Sequence, residues 1–171
     1  MYPTTRRSFA SRVACLFTGL GSASFFTGSA QARSKDKDRD QGGVRKLNYE
    51  GKPADPTALY SPVIVHHGLI YISGQGAHSR DPEGKFPMAA DTHTKKVLDN
   101  VKTLVEAGGG TMDSVLQLTV FLAKIEDYAD MNKVFKTYFP QGGPARTTVA
   151  VAALPGQSLV EINCIAAVVP K

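Results

Sequence analysis

PARTTVAVAALPGQSLVEI, residues Pro144–Ile162, decides the fold. A run of small and β-branched residues, Arg146–Ala153, leads through Leu154-Pro155-Gly156-Gln157-Ser158 into a second run, Leu159–Val168. Both runs read as strands, separated by turn-forming residues. In Thr147–Ala153 and Ile162–Val168 apolar or small residues occupy both parities, which predicts strands covered on both faces. One residue does not fit an apolar strand. Arg146 puts a permanent guanidinium at its mouth, and no acid follows until Glu161 on the next strand.

Upstream, Val97, Val101, Leu104 and Val105 recur at helical spacing, predicting a helix over Asp91–Ala107 that Gly108-Gly109-Gly110 ends. Leu116, Leu118, Val120 and Leu122 alternate with Gln117, Thr119 and Phe121, as a strand requires. A second helix is expected over Asp127–Phe139, with Tyr128, Met131, Val134, Phe135 and Tyr138 on one side and Pro140 closing it. Pro62–His66 and Leu69–Ser73 flank His67-Gly68 as a β-hairpin, Val44–Leu47 forms a short strand, and Gly74–Pro87 is a loop rich in turn residues. From the hairpin onward the order is ββαβαββ, an α+β sandwich with both helices on one face of the sheet. Two helices cover only one face. Double-sided strands then imply a second subunit on the other, in a closed oligomer, with a monomer as the alternative.

The chain has 171 residues, enough for one domain and an additional segment. That segment is at the front. Thr5-Arg6-Arg7-Ser8-Phe9 resembles a twin-arginine export motif, followed by an apolar run over Val13–Phe26 and an A-x-A cleavage site at Ala30-Gln31-Ala32. The run is too short for a stable membrane anchor. Ala10 and Ser11 depart from the motif, so a general secretory route is the alternative to twin-arginine export. Either route predicts a bacterial periplasmic protein. Cleavage after Ala32 removes three arginines and no acid, leaving 17 basic against 15 acidic residues, a net +2 rather than the +5 of the whole chain. So small an excess gives no reason to expect nucleic-acid binding. Residues 33–43, RSKDKDRDQGG, alternate in charge without apolar residues and read as a solvated tether, leaving 44–171 as the folded domain. Cys164 is the one cysteine after cleavage, which excludes an intrachain disulfide and reads as a small core residue.

Several phrases taken together carry a family resemblance. They are Tyr60-Ser61, LIYISGQ (Leu69–Gln75), VLDNVKTLVEAGG (Val97–Gly109), LQLTVFL (Leu116–Leu122), DMNKVFKTYF (Asp130–Phe139), PARTTVAVAALP (Pro144–Pro155) and LVEI (Leu159–Ile162). In this order they resemble the Rid family, the YjgF-like reactive intermediate deaminases, over nearly all of Thr57–Val169. The resemblance implies a chorismate-mutase-like fold, a homotrimer with sites between subunits, and hydrolysis of 2-imino or enamino acids to 2-oxo acids and ammonia without metal or organic cofactor. It assigns Arg146 to the substrate carboxylate and Glu161 to the attacking water. Tyr60, Ser73, Gly74 and Asn100 fall on pocket or near-pocket positions, and Thr148 stands where many members have Cys. Ala58-Leu59 and Pro62 depart from the family's pattern around the tyrosine.

The chemistry fits those roles. A guanidinium is a rigid fork of donors matched to a carboxylate, and a carboxylate beside an imine can orient water or take its proton. The competing account makes Arg146 and Glu161 a structural ion pair. For Tyr60 the alternative is an interface aromatic, for Ser73-Gly74 an ordinary strand exit, and for Asn100 a hydrogen bond to a loop. His66 and His67, read as neighbours on one strand, point to opposite faces and make no metal site. Gly74–Ser79 lacks the third glycine of a dinucleotide loop, and Ser73 lacks a nucleophile-elbow setting. The reading is a deaminase acting on small carboxylate-bearing imines. Its rival is a non-catalytic trimeric binding or chaperone-like protein of the same fold.

Overall fold

A computed structural model describes residues 43–78 and 89–170. All of them belong to one compact unit, Lys35–Lys171. The export signal with Arg6, Arg7 and Ala32, all but the last residue of the tether, and residues 79–88 of the loop lie outside the described residues.

The elements are β1 (Arg45–Leu47), β2 (Val63–His66), β3 (Leu69–Gly76), α1 (Ala90–Gly108), β4 (Val115–Leu122), α2 (Tyr128–Tyr138), β5 (Ala145–Ala150) and β6 (Val160–Ala167), with three short 3₁₀ turns between them. They form one six-stranded sheet in the order β1-β2-β3-β6-β4-β5. All neighbours are antiparallel except β4 and β5, which run parallel because α2 carries the chain back across the sheet. Both helices cover the same face, as the α+β reading requires. Val97, Val101, Leu104 and Val105 of α1 and Met131 and Phe135 of α2 join Leu118, Val120, Ile162 and Cys164 of the sheet in one core. Each large side chain buried there contributes about 1.5–3 kcal/mol.

The glycines after α1 fix how closely it approaches the sheet. Gly109, at φ 96°, takes the left-handed turn that ends the helix, and the Gly109 and Gly110 amides donate to Glu106 O and Val105 O. A β-carbon on Gly108 would lie 2.6 Å from Ile70 Cγ2, and one on Gly110 2.8 Å from Ile70 Cδ1, so only glycine lets this turn rest on β3.

Three expectations need correction. In the single chain β5 is not a strand covered on both faces: it is an edge strand, and Ala145, Thr147, Val149 and Ala150 are exposed. β6 buries Val160, Ile162, Cys164 and Ala166 under the helices and leaves Glu161, Asn163, Ile165 and Ala167 half-buried on the far face. Tyr71 and Phe121 join Ile165 there, so that face is apolar and incompletely covered. Secondly, β3 extends to Gly76, three residues into the expected loop. Its register slips between Ile72 and Gln75, so Ser73 and Gly74 both oppose Asn163 as a bulge. Thirdly, His66 and His67 do not point away from each other. His67 sits in the hairpin turn at φ 47°, and the two rings meet edge-on with centroids 4.0 Å apart.

Candidate functional site

Arg146 points from β5 to the helix side of the sheet, level with buried Leu118. Its guanidinium carbon lies 4.5 Å from the Phe135 ring centroid and 5.8 Å from that of Tyr128. Nη2 donates to Tyr128 Oη at 3.3 Å, and Nη1 approaches Met131 Sδ at 3.8 Å. Each of these partners is neutral. They hold the fork by cation–π attraction and weak hydrogen bonds and leave its charge without a counter-ion among the described residues. Beside it opens a cleft of about 450 Å3, lined by Asn132, Phe135 and Lys136 of α2, Phe139 just beyond its end, Gly143, Pro144 and Arg146 itself. Thr148 follows on the same side of β5, and its buried Oγ1 has no hydrogen-bond partner among the described residues. A lone buried hydroxyl costs about 1–3 kcal/mol, so it is poised to accept one.

Glu161 belongs to a different cluster. It pairs with Gly76 on one side and Phe121 on the other, and faces away from the helices. Its carboxylate rests over Gly74, where a β-carbon would come 3.0 Å from Glu161 Cδ and nearer still to Oε1. The bulge therefore provides its seat. Gln75, buried behind the bulge, donates to Ser73 O at 3.0 Å and to Ser73 Oγ and Gly74 O at 3.1 Å, fixing its shape. Tyr60 is exposed, with its hydroxyl 3.5 Å from that of Tyr49. The Tyr49 phenol is held above its ordinary ionisation range first by the Tyr60 hydroxyl and then by burial, while Gln75 opposes them. Tyr60, Tyr49 and the Ser73–Gln75 bulge thus adjoin one another.

The approach to β6 is held by side-chain bonds of its own. Ser158 Oγ accepts from the Ala77 amide at 2.9 Å and donates to Val160 O at 2.6 Å. Nδ1 of buried His93 accepts from the Leu159 amide at 2.9 Å. Three bonds thus fix the backbone immediately ahead of Glu161. The His78 ring lies against Gly76 and Gly156, so that a β-carbon on either would meet its Cε1 at 2.7 and 2.9 Å.

Arg146 and Glu161 do not pair. Glu161 is level with Phe121 and Val149, two strands across and three residues beyond Arg146, which separates the backbones by about 14 Å. They also face opposite sides of the sheet. The structure brings Tyr60, Ser73, Gly74 and Glu161 together, and Arg146 with Thr148, but it does not unite the two groups within a chain. Asn100 belongs to neither; its Nδ2 donates to Gly76 O at 3.4 Å and ties α1 to the end of β3. Asn132 and Lys136 were not foreseen from the sequence. With Phe135 on α2 and Phe139 at its C-terminal end they occur at i, i+3, i+4 and i+7, so the polar positions bordering the apolar face were the available signal. Among the described residues no group of three or more His, Cys, Asp or Glu side chains is placed to hold a metal ion.

Comparison with known proteins agrees with this architecture. The family described as Endoribonuclease L-PSP matches residues 51–168. The RutC family protein UK114 of Drosophila melanogaster is 35% identical over 123 residues, covering 72% of this chain and 89% of its own. The 2-iminobutanoate/2-iminopropanoate deaminase of Rattus norvegicus is 33% identical over 123 residues, with 72% and 90% covered. Among solved structures, the yjgF gene product of E. coli superposes with a TM-score of 0.62 at 31% identity, over 72% of this chain and 98% of that one. With the fold, the matched span and these relatives in agreement, the chain belongs to the Endoribonuclease L-PSP family, the group that includes RutC- and YjgF-like proteins and deaminases of reactive imines.

Proposed function

We propose that the protein hydrolyses small 2-imino or enamino acids to 2-oxo acids and ammonia, at sites assembled between the subunits of a homotrimer. The single observation that carries this reading is the guanidinium of Arg146, held in place by neutral groups beside an open cleft and lacking any carboxylate partner among the described residues. The ligand's carboxylate supplies that partner. A bidentate grip fixes C2 of the imine against the Phe135 side of the cleft. Deaminase names among relatives of about 35% identity support the same chemistry.

Because Glu161 lies on the opposite face, it serves the Arg146 of a neighbouring copy. The half-covered apolar face with Tyr71, Phe121 and Ile165 is the surface that copies would bury in assembling. Water held by Glu161 adds to C2 of the protonated imine: the C–O bond forms as the C=N π pair moves to nitrogen. The proton released by the water passes through the carboxylate to that nitrogen. The carboxylate then takes the remaining hydroxyl proton as the C=O π bond forms, the C–N bond breaks with its electron pair going to nitrogen, and ammonia leaves the 2-oxo acid, taking up that proton. Tyr60 and the Ser73-Gly74 bulge border this water, and Thr148 offers its free hydroxyl beside Arg146. Neither metal nor organic cofactor has a part in this sequence. The Thr5–Phe9 motif and the Ala30–Ala32 cleavage site support export to the periplasm.

The test generates 2-imino acids in situ with an amino-acid oxidase and follows release of 2-oxo acid by wild type and Arg146→Ala, with sedimentation to follow assembly. Acceleration by wild type and loss in the variant, both remaining trimeric, is the expected result. Wild type no faster than spontaneous hydrolysis would shift the reading to a binding protein of the same fold.

A further inference from the structure

We propose that the preferred substrate is a dianion, an imino or enamino acid carrying a second carboxylate on its side chain; the inference rests on the deaminase reading above. Two cations, Arg146 and Lys136, line the same cleft, and among the described residues no Asp or Glu lines it. Lys136 forms no ion pair among the described residues. The sequence explains why. On α2 its neighbours at i−4, i−3 and i+3 are Asn132, Lys133 and Phe139, and Pro140 stands at i+4, so no acid is at helical pairing distance. Three other helical lysines are paired, Lys95 with Asp99, Lys102 with Glu106 and Lys133 with Asp130, whereas Lys96, like Lys136, forms no ion pair among the described residues, and of these two only Lys136 lines the cleft.

One carboxylate neutralises one of these cations. A monocarboxylate on Arg146 leaves the exposed Lys136 ammonium to water, whereas a dicarboxylate engages both cations and gains the second pair. The same wall is apolar at Phe135 and Phe139, whose centroids lie 4.7 Å apart with planes tilted by 34°, and the Phe135 ring is 4.5 Å from the guanidinium carbon. Such a surface suits a short methylene chain linking two anionic ends, with Asn132 as a polar neighbour. The reaction is unchanged. Water adds at C2, the C–N bond breaks, and the second carboxylate takes no part beyond binding.

The test compares imines of aspartate and glutamate with that of leucine, each made in situ by the corresponding amino-acid oxidase, using the purified full chain and its Lys136→Gln and Lys136→Arg variants. Wild type is expected to show the higher kcat/KM on at least one dicarboxylate. The ratio of that value to the leucine value should fall about fivefold in Lys136→Gln, the scale of an ion pair at a half-open site, and recover in Lys136→Arg. A wild-type preference for the leucine imine, or equal losses on all substrates in Lys136→Gln, overturns the proposal. So does an unchanged ratio accompanied by weakened assembly, which would assign Lys136 to an acid of the neighbouring copy. Calorimetry with succinate, glutarate and butyrate separates this inference from the deaminase reading. If no imine is hydrolysed faster than spontaneously, the deaminase reading fails. Tighter binding of a dicarboxylate than of butyrate, lost in Lys136→Gln, would then still support the dianion site, and equal binding would overturn it.

Discussion

Gly74→Ala isolates the position of the Glu161 carboxylate from everything else in the fold. The new β-carbon would lie 3.0 Å from Glu161 Cδ and 3.4 Å from Cγ. Carbon atoms in comfortable contact sit about 3.5–4.0 Å apart, so the carboxylate must retreat by about 0.5–1 Å. A misplacement of about 1 Å costs on the order of 100-fold in rate, or about 2.7 kcal/mol of transition-state stabilisation. The backbone bears none of this cost, because Gly74 is not among the residues with positive φ. The clash falls on a long side chain at a half-exposed site, and alanine restricts the unfolded chain, so stability should be unchanged or higher by about 0.4–1 kcal/mol. Oxo-acid release from an oxidase-generated imine, measured beside a thermal melt and sedimentation, should therefore show an assembly state and stability equal to wild type with kcat/KM about 100-fold lower. Activity within twofold of wild type at an intact Tm would refute the argument that Glu161 must occupy its seat over the bulge.

Three further outcomes follow from the packing. Tyr138 joins α2 to α1 by donating to Asp99 Oδ1 at 2.5 Å, so Tyr138→Phe should cost about 1 kcal/mol and lower Tm by a few degrees. Burial, the largest single influence, pushes the Asp99 carboxyl up, but bonds from Lys95 and Tyr138 and the charges of Lys95 and Lys96 together hold it below its ordinary range. Its stabilising contribution is thus present above about pH 3.9 and lost as pH falls through the lower folded value, and urea titrations should show a shallower acid loss in Tyr138→Phe. Burial pushes the Cys164 thiol up to about 12, so the folded protein should resist thiol reagents that label it in denaturant. Above about pH 8.5 the unfolded chain's thiol ionises while the native one stays neutral, and stability should fall as pH rises from there toward about 12; Cys164→Ala should remove that component in urea titrations. Gly108→Ala would drive a methyl into Ile70 and should destabilise by about 1–3 kcal/mol in urea titration, with a smaller loss in the double variant with Ile70→Val.

Periodicity made the elements legible, because a helix and a strand bury side chains at different spacings. The apolar recurrence at Val97, Val101, Leu104 and Val105 and the alternation from Leu118 to Leu122 both occur as expected, but Leu116 does not join it: the β4–β6 register slips between Val115 and Gln117, which buries Val115 and exposes Leu116. Strand order is a non-local choice and left no such trace: β5 and β6 are consecutive in sequence, yet β6 inserts between β3 and β4. The resemblance brought Arg146 and Glu161 into view but not their opposite facing, which follows only from registers shared with β4. Ser73-Gly74 read as a strand exit because glycine is turn-prone, whereas its freedom here serves a bulge inside a strand. Asn132 and Lys136 looked like ordinary solvated helix positions, since a cleft wall and a solvent-facing stripe have the same polarity.

β5 is bonded to the sheet along one side only, and that side is a parallel ladder, the less stable pairing per residue. Its outer edge offers main-chain donors and acceptors that pair with no strand of the same chain among the described residues. The backbone carrying the guanidinium, like the other edge strand β1, is thus a segment whose amides should exchange with solvent early in an isolated subunit. Such an edge also templates unwanted strand addition, so a newly made chain gains from finding its copies quickly. At dilution, loss of the site and onset of self-adhesion would be expected to begin on this one strand.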